Sequence, residues 1–205
     1  MINIGGLKMI IKRIFDIVFA LASIFLLTPL FFLIAVFITL NSNGGIFYMQ
    51  NRVGKNGCVF KLFKFRTMFI NSDHLGLLTI GNHDHRITPV GYWLRKFKLD
   101  ELPQLFNVLI GDMSFVGPRP EVNKYVKLYN ETQLRVLSVK PGITDWASIQ
   151  YFNENELLAH SDDPEKFYID EIIPSKIIQN LGYIDRRSFW MDIKIMLYTL
   201  KRLIN

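Results

Sequence analysis

Cysteine is almost absent from the 205-residue chain: Cys58 is the only one, so no internal disulfide can form and a disulfide-stapled secreted module is excluded. Its default reading is a buried or idle thiol in a reducing compartment. Glycine (13 residues) and proline (8) are too sparse for a collagen-like or low-complexity chain, and 14% aromatics exclude a disordered one. Acidic residues are scarce in the first half. Residues 1–100 hold 12 Lys and Arg against 4 Asp and Glu, whereas residues 101–205 hold 12 against 14. A basic N-terminal half suits an anionic partner, either phospholipid headgroups, a phosphorylated substrate or nucleic acid.

Charge is missing altogether from Ile17 to Leu40, a run of 24 residues that exceeds the roughly 20 needed to cross hydrocarbon as a helix. The run is too long for a signal-peptide core, and no small-residue cleavage site follows it. Thr28-Pro29 falls near its middle, where proline removes a backbone donor and predicts a kink or break. Two halves of about 12 residues, each ~18 Å long, could enter one leaflet and return, but neither could span it. Lys8, Lys12 and Arg13 precede the run and Arg52 and Lys55 follow it, so the positive-inside rule draws both ends to the cytoplasm. The alternative is an ordinary single-pass anchor with a tolerated proline. Asp16, at the edge of the run, needs a partner such as Arg13 or Lys12 and could fix insertion depth.

Beyond the Asn41–Gly45 loop, two β-like stretches flank a turn at Gly54–Gly57, and the second interleaves Lys61, Lys64 and Arg66 with apolar residues. A strand pair with its cations on one face is the simplest expectation. Residues 71–90 are turn-rich and predict a surface loop. Helical periodicity from Val90 to Leu109 is interrupted at Lys98-Leu99-Asp100, with Asp100 a candidate N-cap for a helix reaching Ile110. Gly117-Pro118-Arg119-Pro120 is a stiff loop, and a helix of about 15 residues is expected over Glu121–Val136. Ser188–Ile204 is amphipathic, suited to packing on the domain or lying on a membrane surface. The architecture expected is α/β: a small, mainly helical domain with short strands over residues 43–205, plus a helix-break-helix membrane segment over residues 1–42.

The densest set of reactive side chains is Arg95 to Gln104, where Asp100 and Glu101 sit among Arg95, Lys96 and Lys98. A carboxylate at a helix start, close to cations and to a Pro-Arg-Pro loop, lies near a site suited to phosphate. Arg119, on a stiff backbone, could clamp phosphate bidentately, with Arg95, Lys64 and Arg66 as further candidates. His83 and His85, two residues apart in a loop, are too sparse for a metal site, so a structural or substrate-rim role is preferred. No nucleic-acid recognition motif is present, and the apolar run opposes that class.

Four segments in order carry a resemblance: Phe63 to Met68 (FKFRTM), Asp84-x-Arg86-Ile87-Thr88, Leu99 to Glu121 (LDELPQLFNVLIGDMSFVGPRPE) and Lys140 to Thr144 (KPGIT). Behind an N-terminal apolar segment, they are similar to the signatures of the bacterial sugar transferases, monotopic polyprenyl-phosphate phosphoglycosyl transferases, over about Ile11–Trp146. The resemblance implies transfer of a sugar-1-phosphate from a nucleotide sugar, usually a UDP-sugar, to a polyprenyl phosphate such as undecaprenyl phosphate, with UMP released. It implies Asp100 as nucleophile, forming a covalent phosphosugar intermediate, and Asp100 and Glu101 as the carboxylates associated with Mg²⁺. It also implies a re-entrant helix broken at Thr28-Pro29, a place on the inner membrane at its cytoplasmic face, and a role in starting surface polysaccharide or glycan assembly. Homodimer formation is left open. After Thr144 the chain departs from the family's usual Gly-Trp-Ala-Gln-Val, reading Asp145-Trp146-Ala147-Ser148-Ile149, so donor identity is open, with Asp145 and Gln150 able to reach sugar hydroxyls. The competing reading is a membrane-tethered basic lipid-binding or scaffold protein without turnover.

Overall fold

The computed structural model of the protein describes residues 4–72, 76, 78–81 and 84–204. A long helix α1 (Ile4–Asn41) is followed by an antiparallel hairpin, β1 (Phe47–Val53) and β2 (Val59–Phe65). Next come α2 (Pro89–Lys96), a 3₁₀ turn (Leu99–Glu101), α3 (Gln104–Ile110) and strand β3 (Ser114–Val116). Short helices α4 (Asn123–Val126) and α5 (Glu131–Leu134) lead to β4 (Gly142–Thr144), which lies parallel to β3. The chain closes with α6 (Trp146–Gln150), α7 (Glu154–Ala159), α8 (Pro164–Phe167), α9 (Ile173–Arg186) and α10 (Phe189–Ile204). The mainly helical α/β expectation therefore holds, and the described residues form two separate two-stranded sheets.

Helix α1 is apolar on nearly all sides, so one face can pack on protein while another stays exposed. Ala20 packs with Leu62, Val108 and Met113. Ile34 and Ile38 pack with Phe65 and Leu94. Between these two attachments Phe25 and Leu26 are 84% and 78% exposed. Polar side chains fix the first attachment: Arg13 donates to the Val108 and Leu109 carbonyls (2.6 and 2.9 Å), two of the last acceptors of α3. Lys12 pairs with Asp192 of α10 at 2.5 Å. The buried Asp16 accepts from Ser114 Oγ and the Phe115 amide (3.1 and 3.2 Å), rather than from Lys12 or Arg13 as anticipated.

Of the kink or break expected at Thr28-Pro29, the break requires correction, because the helix runs through both residues without interruption. Thr28 Oγ1 bonds back to the Ile24 carbonyl at 2.8 Å, and the donor that Pro29 lacks is lost without ending the helix. By length and composition, Met9–Asn41 is able to cross a membrane.

Two further expectations give way. A single helix over Glu121–Val136 is replaced by α4, α5 and a 3₁₀ turn (Arg135–Ser138), because Asn130 and Gln133 form a capping box that starts a new helix. In the β1–β2 hairpin, Lys61, Lys64 and Arg66 do not share a face, since strand side chains alternate: Lys64 and Arg66 lie on one side and Lys61 on the other. The hairpin turn places Gly57 at φ 79, and Cys58 beside it is exposed rather than buried.

Close backbone approaches then fix the remaining elements. A Cβ on Gly91 would lie 2.0 Å from the Thr67 carbonyl oxygen, so α2 rests directly on the strand extension. Thr88 caps α2 by accepting from the Gly91 amide at 2.9 Å. At the β3–β4 pair a Cβ on Gly142 would lie 2.1 Å from Gly117 N. This contact, open only to glycine, brings the Gly117–Pro120 loop against the Lys140–Gly142 turn.

Candidate active site

Each wall of the site comes from a different element. Lys98 adopts a left-handed conformation (φ 55), which turns the chain sharply out of α2 into the Leu99–Glu101 turn. Asp100 is therefore not the N-cap of α3, as its position in sequence suggested; Pro103 stands there, and Asp100 lies buried in the preceding turn. Lys64 arrives from β2, which is stapled to α3 by Asn107. The Asn107 carboxamide accepts from the Phe63 amide (2.9 Å) and donates to the Lys61 carbonyl (2.7 Å). Arg119 arrives from the loop held by the Gly117–Gly142 contact.

These side chains meet at Glu101. Arg119 grips its carboxylate through both terminal nitrogens, with Nη1 3.0 Å from Oε2, and Lys64 Nζ donates to Oε1 at 3.1 Å. Asp100 and Glu101 are neighbours with opposite electrostatics. Burial pushes the Asp100 carboxyl upward and the Glu101 charge adds to the effect, against Lys64, Arg95 and Lys98. Burial acts on Glu101 in the same sense, but Arg119 and Lys64 outweigh it and hold that carboxyl well below its ordinary value. Burial lowers Lys64 and Lys98, while Glu101 raises Arg119 further above its usual value. One carboxylate is thus neutralised by two cations, and the other is exposed to their field without a direct ion pair among the described residues.

The site opens into a cavity of about 970 Å³, lined by Lys64, Arg95, Lys98, Asp100, Glu101 and Arg119 among others. Arg95 fits the phosphate-binding expectation by place. Arg66 reaches the cavity wall but spends its guanidinium on the Gly45 and Phe47 carbonyls (2.9 and 3.3 Å), anchoring the hairpin. Thr28 and Pro29 do not line the cavity.

Residues with no supporting role legible in the sequence hold the nominated ones in place. Glu121 accepts from Arg52 (3.1 Å) and Tyr168 (2.5 Å), tying the end of the Pro-Arg-Pro loop to β1 and the α8–α9 region. Asp145, able by residue type to reach a sugar hydroxyl or to face water, is fully buried; Oδ2 accepts from the Arg119 amide (3.1 Å) and Oδ1 from the Ser148 amide (2.6 Å). Gln150 is exposed. The only sequence signal for these roles was their adjacency to the motifs. Of the histidine pair, His83 lies outside the described residues, and Asp84 is engaged by Arg86. Among the described residues no group of three or more His, Cys, Asp and Glu side chains is placed to hold a metal. Asp100 and Glu101 offer two adjacent carboxylates at the cavity wall.

Comparison with known proteins agrees with the family resemblance. A family model described as "Bacterial sugar transferase" matches residues 7–205. The chain is 38% identical, over 95% of its length, to a UDP-N-acetylgalactosamine-undecaprenyl-phosphate N-acetylgalactosaminephosphotransferase from Aeromonas hydrophila, and covers 44% of that protein. It is 37% identical, over 96% of its length, to the UDP-glucose:undecaprenyl-phosphate glucose-1-phosphate transferase of Escherichia coli, covering 40% of it. Against an uncharacterized sugar transferase, EpsL, of Bacillus subtilis, the identity is 40% over 96% of this chain and 88% of that one. The chain thus spans less than half the length of the first two relatives and most of the third.

Proposed function

The chain belongs to the bacterial sugar transferase family, and from that premise we propose that it moves a sugar-1-phosphate from a UDP-sugar to a polyprenyl phosphate, such as undecaprenyl phosphate, and releases UMP. The observation that carries this reading is a buried carboxylate, Asp100, in one cavity with two cations already arranged around an anion. Phosphoryl transfer demands positioning and charge neutralisation more than covalent machinery, and this cluster supplies both.

In the proposed sequence an Asp100 carboxylate oxygen attacks the phosphorus that bears the sugar. The bond to the bridging oxygen breaks, and that oxygen leaves with its electron pair on UMP. The phosphosugar is then held as an acyl phosphate. A phosphate oxygen of the lipid attacks the same phosphorus, the bond to Asp100 breaks, and the carboxylate is restored. Lys64 and Arg119 are placed to share the spreading negative charge, and a donor diphosphate competes with Glu101 for both of them. Asp100 and Glu101 fit Mg²⁺, which takes one or two carboxylates and completes its shell with substrate phosphates and water. Once bound, the ion would neutralise the diphosphate and stabilise the leaving UMP.

The geometry of α1 supports a monotopic arrangement, and the cations Lys12, Arg13, Arg52 and Lys55 on its two flanks favour the cytoplasmic face of the inner membrane. Its residues 12–20 and 30–38 both pack on the same domain, and the most exposed apolar side chains between them are Phe25 and Leu26. A helix crossing the bilayer would carry one of these attachments away from the domain, whereas a helix bending at Pro29 could dip into one leaflet and keep both. In a Cys58→Ser background, Gly6→Cys and Asn43→Cys are expected to be labelled from the cytoplasmic side alone; labelling on opposite sides would replace this geometry with a spanning anchor.

The reaction is tested by UMP release from a panel of UDP-sugars by detergent-extracted protein. Release that requires both Mg²⁺ and undecaprenyl phosphate is expected. Silence across the panel from folded protein would return the chain to the lipid-binding or scaffold reading.

A further inference from the structure

We propose that Asp145 is a positioning residue for the donor diphosphate, acting through the backbone of Arg119. Three observations carry this. The Asp145 side chain is 0% exposed, yet among the described residues it forms no salt bridge; both of its oxygens are spent on backbone amides. One of those amides belongs to Arg119, whose guanidinium grips Glu101 at the cavity wall, and the other belongs to Ser148 in the first turn of α6. Gly117, two residues before Arg119, is pressed against Gly142, so the loop base is fixed by contact with β4 and its tip by the Asp145 carboxylate.

Asp145 thus ties the Arg119 loop to a helix whose Ala147, Ser148 and Ile149 line the same cavity. A buried carboxylate accepting two amide bonds holds a backbone more firmly than a neutral acceptor does. The amide of Arg119 has two flanking prolines, so orienting that single N–H orients the whole Pro-Arg-Pro segment. Asp145 itself touches no substrate in this scheme. It sets where the guanidinium stands when phosphate displaces Glu101, and a displacement of about 1 Å there is enough to weaken binding and turnover. This inference rests on the proposed donor reaction for its kinetic readout only.

The test separates capping of α6 from positioning of Arg119. Asp145→Ser keeps a good N-cap for the Ser148 amide, but its single short oxygen cannot also reach Arg119. Asp145→Ala loses both bonds. For Asp145→Ser we expect a melting temperature within a few degrees of the parent and amide exchange at Arg119 at least about 10-fold faster. Alongside these, the UDP-sugar KM should rise about 10-fold, with kcat changed less than about 3-fold and the lipid KM unmoved. Asp145→Ala should repeat the kinetic change and add a loss of stability. Parental Arg119 protection and parental donor KM in Asp145→Ser would overturn the proposal. If the parent protein turns over no donor, the reaction reading fails by itself. Amide exchange at Arg119, with UDP affinity measured calorimetrically in Mg²⁺, then decides the role of Asp145: faster exchange with weaker UDP binding supports it, and parental values of either refute it.

Discussion

Two of the arginine–carboxylate pairs among the described residues, Arg86–Asp84 and Arg119–Glu101, do different work. Arg86 and Asp84 are almost wholly buried, with side chains 6% and 7% exposed. Every branch of Arg86 is satisfied: Nε and Nη2 by Asp84, and Nη1 and Nη2 by the Gly76 and Leu78 carbonyls at 2.7 and 2.6 Å. That guanidinium ties the loop after β2 to itself and has nothing left to offer a ligand. Arg119 meets Glu101 with a side chain 37% exposed, beside a second cation and the neighbouring Asp100 carboxylate at a cavity wall. The sequence motifs contain both arginines in similar company. What separates scaffold from site is how many donors remain open to the cavity.

The sharpest way to press this contrast is to remove charge at Asp100, the carboxylate that no cation among the described residues pairs with directly. Asp100→Asn is expected to reduce turnover by at least about 10³-fold, measured as UMP release, because an amide cannot act as the nucleophile. The same variant should melt at the parental temperature or above, since burial and Glu101 both oppose the carboxylate charge. Turnover within 10-fold of the parent would remove Asp100 from the mechanism. Arg86→Ala should act in the opposite way. It leaves Asp84 buried without its counterion and should cost about 3–5 kcal/mol in urea denaturation. Arg119→Ala should lower kcat/KM for the donor by about 10²-fold while changing stability by under about 1 kcal/mol, as suits a pair partly open to solvent.

Acid separates the two pairs more gently. Arg86 holds Asp84 below the ordinary carboxylate value, so its contribution to stability is complete above pH ~4 and is lost only as pH falls below that. Burial holds Asp100 above its ordinary value, so its nucleophilic form disappears at a higher pH than the structural carboxylate is lost. Over that interval, protonating Asp100 relieves a buried charge and favours the fold. On acidification, activity should therefore fall before the circular dichroism signal does. Coincident loss of both would contradict the assignment.

Much of this was legible where function is carried by neighbours in sequence. Asp100, Glu101 and the Pro-Arg-Pro loop belong to one nearly continuous stretch, and the hairpin and α10 announced themselves by turn residues and periodicity. Lys64 could be nominated from its basic surroundings, but its separation from Lys61 depends on strand alternation and its separation from Arg66 on local carbonyls. The division of the Glu121–Val136 stretch was signalled by Asn130 and Gln133, a capping box inside what periodicity presents as one helix. Asn107, Glu121 and Asp145 were hidden for a common reason: two bind backbone groups distant in sequence and one binds a distant arginine and tyrosine, and residue type alone reveals none of these contacts. The continuity of α1 through Pro29 shows a further limit, since a missing donor predicts strain and not where the helix ends.

The most direct test of the account is intact-mass spectrometry of the protein incubated with a UDP-sugar panel and Mg²⁺ but no polyprenyl phosphate. The parent protein should gain the mass of one sugar phosphate with a productive donor, mapped to the peptide containing Asp100, and Asp100→Asn should gain nothing. Lipid-dependent UMP release by a parent protein that never carries the adduct, with Asp100→Asn equally active, would contradict it.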